Sequence, residues 1–380
     1  MKKIKKICVF TWTIMSLLMI AGCQNKHEHI RIGGLFALSG GAAAYGEDLK
    51  KGTELALQEI NALNPDFMLE LIAKDTKSDR NEAVKACEDL ISINRVSAIL
   101  GPTTSPNAIV IGRISDQYGI PLIVQAATQD EVTKSNDYQR KYVIKICFND
   151  EFQGRALADF AFRDLQKSKA IIIFDNSVSY SVGLAESFEK RFIEHGGVIV
   201  SKSSYSVEQK DFRALIDKIT LLDADLLFIP GWDENVGPML RQSQNKWDKF
   251  VVLGGDGLPT DKFIELSGGN LNNVFALAHY NPNSDDKIVK DFVSAYQSKY
   301  NTIPSPHAAL GYDAVYVLYK AMIDCNGEIT PDMIMNKLKE MKEMELVSGR
   351  VSFEASGDAV KSGVILKITK NGYEYIKTIL

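Results

Sequence analysis

Residues 105–114, SPNAIVIGRI, begin with a serine, a proline and an apolar run at helical spacing. Ser105 as N-cap and Pro106 as first helical residue would start a helix, because a proline's missing N–H is no loss there. The preceding VSAILGPTT reads as a short buried strand that hands over, through small residues, to this helix N-terminus. Free backbone N–H groups and the helix dipole together make such an end an anion site. Two acids stand in comparable loops, Asp233 in PGWDEN and Asp256 in GGDGLP. The loops LSGGAAAYG, QAATQD and DNSVSYSVG add hydroxyls and aromatic rings. The chain has no GxSxG elbow, no HExxH and no GxxxxGK[ST] phosphate loop, and GGAAAYG lacks the GxGxxG spacing of a dinucleotide turn. None of these loops holds a histidine or cysteine to act as base or nucleophile. The chemistry expected is the holding of a ligand, with no catalytic residue, cofactor or metal. His27 and His29 flank Glu28, but one short tract does not close a coordination sphere.

The elements that must position these loops alternate along the chain. IRIGGLFAL leads to a helix from about Glu47 to Ala62, then MLELIAKD, a helix near 80–93, VSAILG, a helix at 106–117 and IPLIV. After residue 142 the pattern restarts with YVIKICF, a helix at 152–165, KAIIIFD, a helix at 182–195 and VIVSKSSY. It continues through a helix near 211–221, ADLLFIPG, a helix at 234–245 and FVVLGG. Val-, Ile- and Leu-rich strands with little alternation are buried on both faces, as in parallel sheets covered by helices. Two such series predict an α/β protein of two doubly wound parallel-sheet lobes. In doubly wound sheets ligands bind beyond the carboxyl ends of the strands, where the loops above fall. Asp233 and Glu234 open one of the helices and are expected to favour its dipole and face solvent.

The chain opens with MKKIKK and an apolar run of 14 residues (7–20), too short to span a bilayer and suited to a signal-peptide core. IAGC, ending at Cys23, resembles the lipobox of bacterial lipoproteins, in which the cysteine is lipidated and becomes the first mature residue. Residues 1–22 are thus expected to be a signal and 23–29 a tether, with two acyl chains giving a stable membrane anchor. Loss of 1–22 removes four lysines and no acids, so the net charge moves from −4 to −8, with 40 basic against 48 acidic residues. Nucleic-acid binding needs a positive footprint and is not expected. Cys87, Cys147 and Cys325 remain, an odd number without CxxC spacing, and Cys87 and Cys147 read as buried small hydrophobes.

The chain resembles the branched-chain amino acid (leucine/isoleucine/valine) binding proteins of bacterial ABC transporters, with the type I periplasmic-binding fold, over about residues 31–375. The resemblance rests on LSGGAAAYGEDLKKGTELALQEIN, GPTTSPNA, IPLIVQAATQDEVT, FNDEFQGRALADF, YSVGLAESFEKRF, KDFRALIDKI, GPMLRQS and HAALGYDAVYVLYKA, in that order. It implies an extracytoplasmic protein that captures an amino acid between two lobes and delivers it to an ABC permease. It implies that Ser105, Ala126 and Thr128 hold the α-carboxylate and that Tyr180 and Asp256 hold the ammonium. Tyr45 and Trp232 would line the side-chain pocket. The chain would cross between lobes near 147, 276 and 350, giving one lobe 30–147 with 277–350 and another 148–276 with 351–380. Ser78 and Thr104 stand where well-known relatives have a disulfide. The side-chain pocket has no lysine or arginine in these loops and predicts a neutral, mainly aliphatic ligand, an aromatic one coming next. Another small ligand such as a urea- or amide-like compound, a sensory role, and an enzyme on the same scaffold remain the alternatives.

Overall fold

The computed structural model describes residues 28–63, 65–135 and 138–380. The signal, Cys23 and His27 lie outside the described residues. The first segment runs β1 (Glu28–Phe36), α1 (Ala43–Ala62), β2 (Phe67–Asp75), α2 (Arg80–Ser92), β3 (Ala98–Leu100), α3 (Ser105–Tyr118), β4 (Leu122–Val124) and β5 (Val143–Lys145). β1 therefore starts inside the expected tether. The five strands form a parallel sheet in the order β2-β1-β3-β4-β5. The short strands β3, β4 and β5 are buried throughout, which is why their sequences show no polar alternation.

The chain then crosses to a second lobe: α4 (Asp150–Asp159), β6 (Lys169–Asp175), α5 (Ser179–Glu194), β7 (Val198–Tyr205), α6 (Arg213–Thr220), β8 (Leu226–Phe228), α7 (Asp233–Ser243), β9 (Val251–Gly254), α8 (Asp261–Leu266) and β10 (Val274–Ala278). It returns for α9 (Lys287–Tyr300), α10 (Pro306–Ile323), α11 (Pro331–Glu340) and a small ladder of β11 (Met344–Leu346), β12 (Gly349–Phe353) and β13 (Ala359–Val360). It ends in the second lobe as the hairpin β14 (Gly363–Thr369) and β15 (Gly372–Ile379). The second sheet has the order β15-β14-β10-β9-β8-β6-β7, parallel except for its last two strands. Strands joined by a two-residue turn must run antiparallel, so this edge departs from the all-parallel expectation.

The third passage falls at 361–362, past the expected 350. Val351 and Phe353 are buried in the first lobe's core with Leu310, Leu318 and Ile334, which keeps β12 on that side. α1 and α10 cover this face of the first sheet at very close range. A Cβ on Gly52 would lie 1.9 Å from the Ala308 carbonyl oxygen, and one on Gly311 would lie 2.1 Å from that of Leu49. α2 and α3 cover the opposite face with Leu90, Ala108 and Ile111. In the second lobe α4 and α5 bury Leu157, Leu184 and Phe188 on one face, and α6 and α7 bury Ile216, Val236 and Met239 on the other. Each lobe is thus a three-layer sandwich, and the loops beyond the strands' carboxyl ends meet between the two.

Candidate functional site

α3 begins one residue earlier than expected: Thr104 is its N-cap and Ser105 its first helical residue. Thr104 makes no side-chain capping bond. The N-caps of α5 and α7, Val178 and Trp232, make none either. By contrast, α2, α4, α8, α10 and α11 are capped by Asp79, Asn149, Thr260, Ser305 and Thr330. Helix starts not satisfied by their own cap leave amide hydrogens for another acceptor. The Ser105 hydroxyl accepts from Gln129 N–H at 3.3 Å and keeps its own hydrogen to donate.

Ser105 lines a cavity between the lobes with Tyr45, Ala126, Tyr180, Trp232 and Asp256, the residues brought together from both sides. Thr103, Thr104, Gly257 and His307 complete the lining. Thr128 does not reach this cavity. It lies buried behind it, its Oγ1 without a partner among the described residues and its carbonyl accepting from Lys145 Nζ at 3.2 Å and Asp150 N–H at 3.1 Å. The free space is about 30 Å³, enough for roughly two waters. The lobes are therefore drawn together, and a ligand enters only when they part.

Tyr45 is more than a pocket wall. Its hydroxyl donates to the Gly257 carbonyl at 2.8 Å and accepts from Asp233 N–H at 2.9 Å, so it ties the first lobe to the second. Asp233 is 1% exposed and does not face solvent as expected. Its Oδ2 accepts from Thr260 Oγ1 at 2.9 Å, and burial pushes its pKa up to about 6.

Asp256 is 3% exposed, on the loop after β9. Its Oδ2 accepts from His279 Nε2 at 3.0 Å, and Gln153 Oε1 accepts from its backbone N–H at 2.6 Å. Tyr180 Oη accepts from Gly257 N–H at 3.3 Å beside it. Burial works against the Asp256 charge, but the bonds from His279 and Tyr180 outweigh it and hold the carboxyl below its ordinary range. Burial pushes His279 and His307 down to about 4, so both rings are neutral at neutral pH. Asp256 is then a buried carboxylate whose only ion-pair candidate among the described residues is an uncharged imidazole. Such a charge is costly to bury alone and favours a cationic partner.

The uncapped helix start of α3, one hydroxyl and one buried carboxylate across a closed cleft suit a small molecule bearing opposite charges. A family model, the periplasmic binding protein, matches residues 29–372. The chain belongs to the periplasmic binding protein family. It is similar to the branched-chain amino acid transporter substrate binding protein LivJ from Streptococcus pneumoniae, solved in complex with isoleucine, at 30% identity and TM-score 0.87, covering 93% of this chain and 99% of that one. It is also similar to the leucine binding protein LivK from Thermotoga maritima at 28% identity and TM-score 0.86, covering 92% and 98%. Among curated relatives, the Leu/Ile/Val-binding protein BraC3 of Rhizobium johnstonii is 26% identical over 358 residues, 92% of this chain and 94% of that one.

This periplasmic binding protein carries three site residues that sequence reasoning missed: Gln153, His279 and His307. His279 sits on a passage between lobes, stacked on Phe148 at 3.9 Å, and His307 opens α10. Neither lies in a loop of the two βα series. One signal was available: Ser305-Pro306 repeats the serine-proline helix start of Ser105-Pro106. Cys87 and Cys147 are fully buried thiols, both pushed up to about 12 by burial. Ser78, where well-known relatives have a disulfide cysteine, accepts from Ala42 N–H at 3.1 Å and donates to the Ser39 carbonyl at 2.9 Å.

Proposed function

We propose that the chain is an extracytoplasmic solute-binding protein that closes on a neutral, mainly aliphatic amino acid of the leucine, isoleucine or valine kind and delivers it to an ABC permease. The observation that carries this reading is the buried Asp256 carboxylate, without a cation, facing a cleft whose other wall is the uncapped start of α3. An α-amino acid supplies the ammonium for one and the carboxylate for the other. Ser105 donates to the carboxylate, Ala126 completes that end, and Tyr180 and Asp256 take the ammonium. Tyr45 and Trp232 bound the side chain. Among the described residues no lysine or arginine lines the cavity, so an acidic side chain would be buried without a partner. The three relatives named above are binders of leucine or of branched-chain amino acids by name, one of them solved with isoleucine, and they support the same ligand class.

In this reading residues 1–22 are removed and Cys23 carries the lipid that holds the protein at a membrane surface. Replacing Cys23 by serine is expected to move the protein from the membrane fraction to the soluble one. The reading as a whole is tested by calorimetric titration and thermal unfolding of residues 24–380 against the amino acids. A ligand at 100 times its dissociation constant stabilises the folded state by about 2.7 kcal/mol. Leucine, isoleucine and valine should each bind one to one and be recovered unchanged. Tight binding of glutamate or lysine with none of leucine would overturn the pocket assignment.

A further inference from the structure

One imidazole joins the cleft to the hinge. His279 opens the second passage, directly after β10, and its Nε2 lies 3.0 Å from Asp256 Oδ2. The residue is 1% exposed, and its Nδ1 has no hydrogen-bond partner among the described residues. An imidazole bonded at both nitrogens has its ring plane fixed by those bonds. With one nitrogen unbonded, the plane of this ring is left to its packing. Phe148 supplies that packing, stacked on the ring at 3.9 Å with 22° between the planes. Phe148 itself stands on the first passage, between β5 and α4, and does not line the interlobe cavity. It also packs on Phe152 of α4, with ring centroids 5.4 Å apart. The third passage reaches it as well: a Cβ on Gly363, the first residue of β14, would lie 3.3 Å from Phe148 Cε1. The three passages between the lobes therefore meet at this one aromatic ring.

We propose that Phe148 is a positioning residue for the ammonium end of the site: through His279 it aims the hydrogen bond that holds Asp256, and so ties that carboxylate to the hinge. The inference rests on the amino-acid reading above. Phe148 acts at the end that every α-amino acid shares, so its loss lowers the affinity for all of them alike. A residue of the side-chain pocket would instead change their order.

The test is a double-mutant cycle. Residues 24–380 are titrated calorimetrically with leucine and with valine, as wild type, Phe148→Leu, His279→Gln and the double variant. Phe148→Leu should weaken both ligands by the same factor, about three- to tenfold, the worth of an aromatic pair. His279→Gln keeps an N–H for Asp256 but has no ring to stack, so in that background Phe148→Leu should change nothing further. The titration of the imidazole itself, followed by NMR, is the second readout. The charged and titratable groups facing it are Asp256, Lys361 of the third passage and His307 of α10. Burial holds the ring down to about 4, and Phe148→Leu should raise it towards the ordinary histidine value as water enters. Thermal unfolding reports whether each variant is folded, and Phe148→Met takes the place of Phe148→Leu if that variant is not. Equal losses in both backgrounds, or a ring that still titrates at about 4, overturn this inference and leave the amino-acid reading standing. Failure of the wild type to bind any amino acid overturns both.

Discussion

The two walls of the cleft solve different problems. The first lobe presents Ser105 and an uncapped helix start, which offer hydrogens and a partial positive field without a formal charge. The second lobe presents Asp256, a formal charge held in place by Tyr180, Gln153 and His279. A helix dipole suffices for a carboxylate because several N–H groups can share it, whereas an ammonium needs a localised anion. In the proposed binding mode neither wall would hold an amino acid well alone. Ligand favours the closed state because only there do both walls touch it.

The strongest way to break this asymmetry is to remove the charged side. Asp256→Ala should weaken amino-acid binding by about 2–5 kcal/mol, because the ligand ammonium is then buried without its partner. Calorimetry checks this, and unchanged affinity with a folded variant would refute the division of labour between the walls.

The two buried histidines of the site give a second handle. In the unfolded chain they titrate near 6.5, and in the fold they are pushed down to about 4. The unfolded state binds more protons across that interval, so stability is full above about pH 6.5 and declines as pH falls towards 4. The shift corresponds to roughly 3 kcal/mol for each ring. Denaturant unfolding of ligand-free protein at pH 7 and pH 4.5 should show this loss, and His307→Phe should lose less than the wild type. Equal losses would mean that His307 does not titrate in this window.

Tyr45→Phe sharpens the comparison by cutting the tie between the walls while leaving both. It strands the Asp233 N–H and the Gly257 carbonyl, worth about 1 kcal/mol each. Small-angle scattering of the ligand-free variant should give a larger radius of gyration than the wild type, and equal radii would show that the tie does not hold the lobes. The smallest effect is expected on the uncharged side. Ser105→Ala should lower affinity by about 1 kcal/mol, since the helix N–H groups remain. A loss as large as that of Asp256→Ala, measured in the same titrations, would reverse the assignment of weight between the two walls.

Much of the scaffold was legible in the residues, because buried parallel strands and amphipathic helices write distinct periods. Ser105, Tyr45, Ala126, Tyr180, Trp232 and Asp256 fall in the loops after strands or in the first turns of the helices that follow them, and the fold brings those ends to one place. His279 and His307 were not legible as site residues, since they come from a passage and from a helix that the βα alternation does not order. Asp233 was misread because its burial depends on Thr260, 27 residues away, whose hydroxyl donates to its carboxylate. Thr128 does not line the cavity, and its carbonyl is held by Lys145 Nζ and Asp150 N–H, buried groups that loop position does not reveal. The third passage was displaced by Val351 and Phe353, whose burial is decided by α10 and α11.

The close seating of α10 on α1 has a consequence for how the protein is made. The first lobe's core joins Leu49 to Leu310 and Phe353, so its hydrophobic face stays open until almost the whole chain has been synthesised. Folding must wait on contacts between residues some 260 positions apart, which slows the search. A chain emerging N-terminus first therefore passes most of its length in an incomplete state, with the β1–β5 sheet exposed on one face. That delay leaves a strand of polypeptide still loose enough to be threaded across a membrane before it sets.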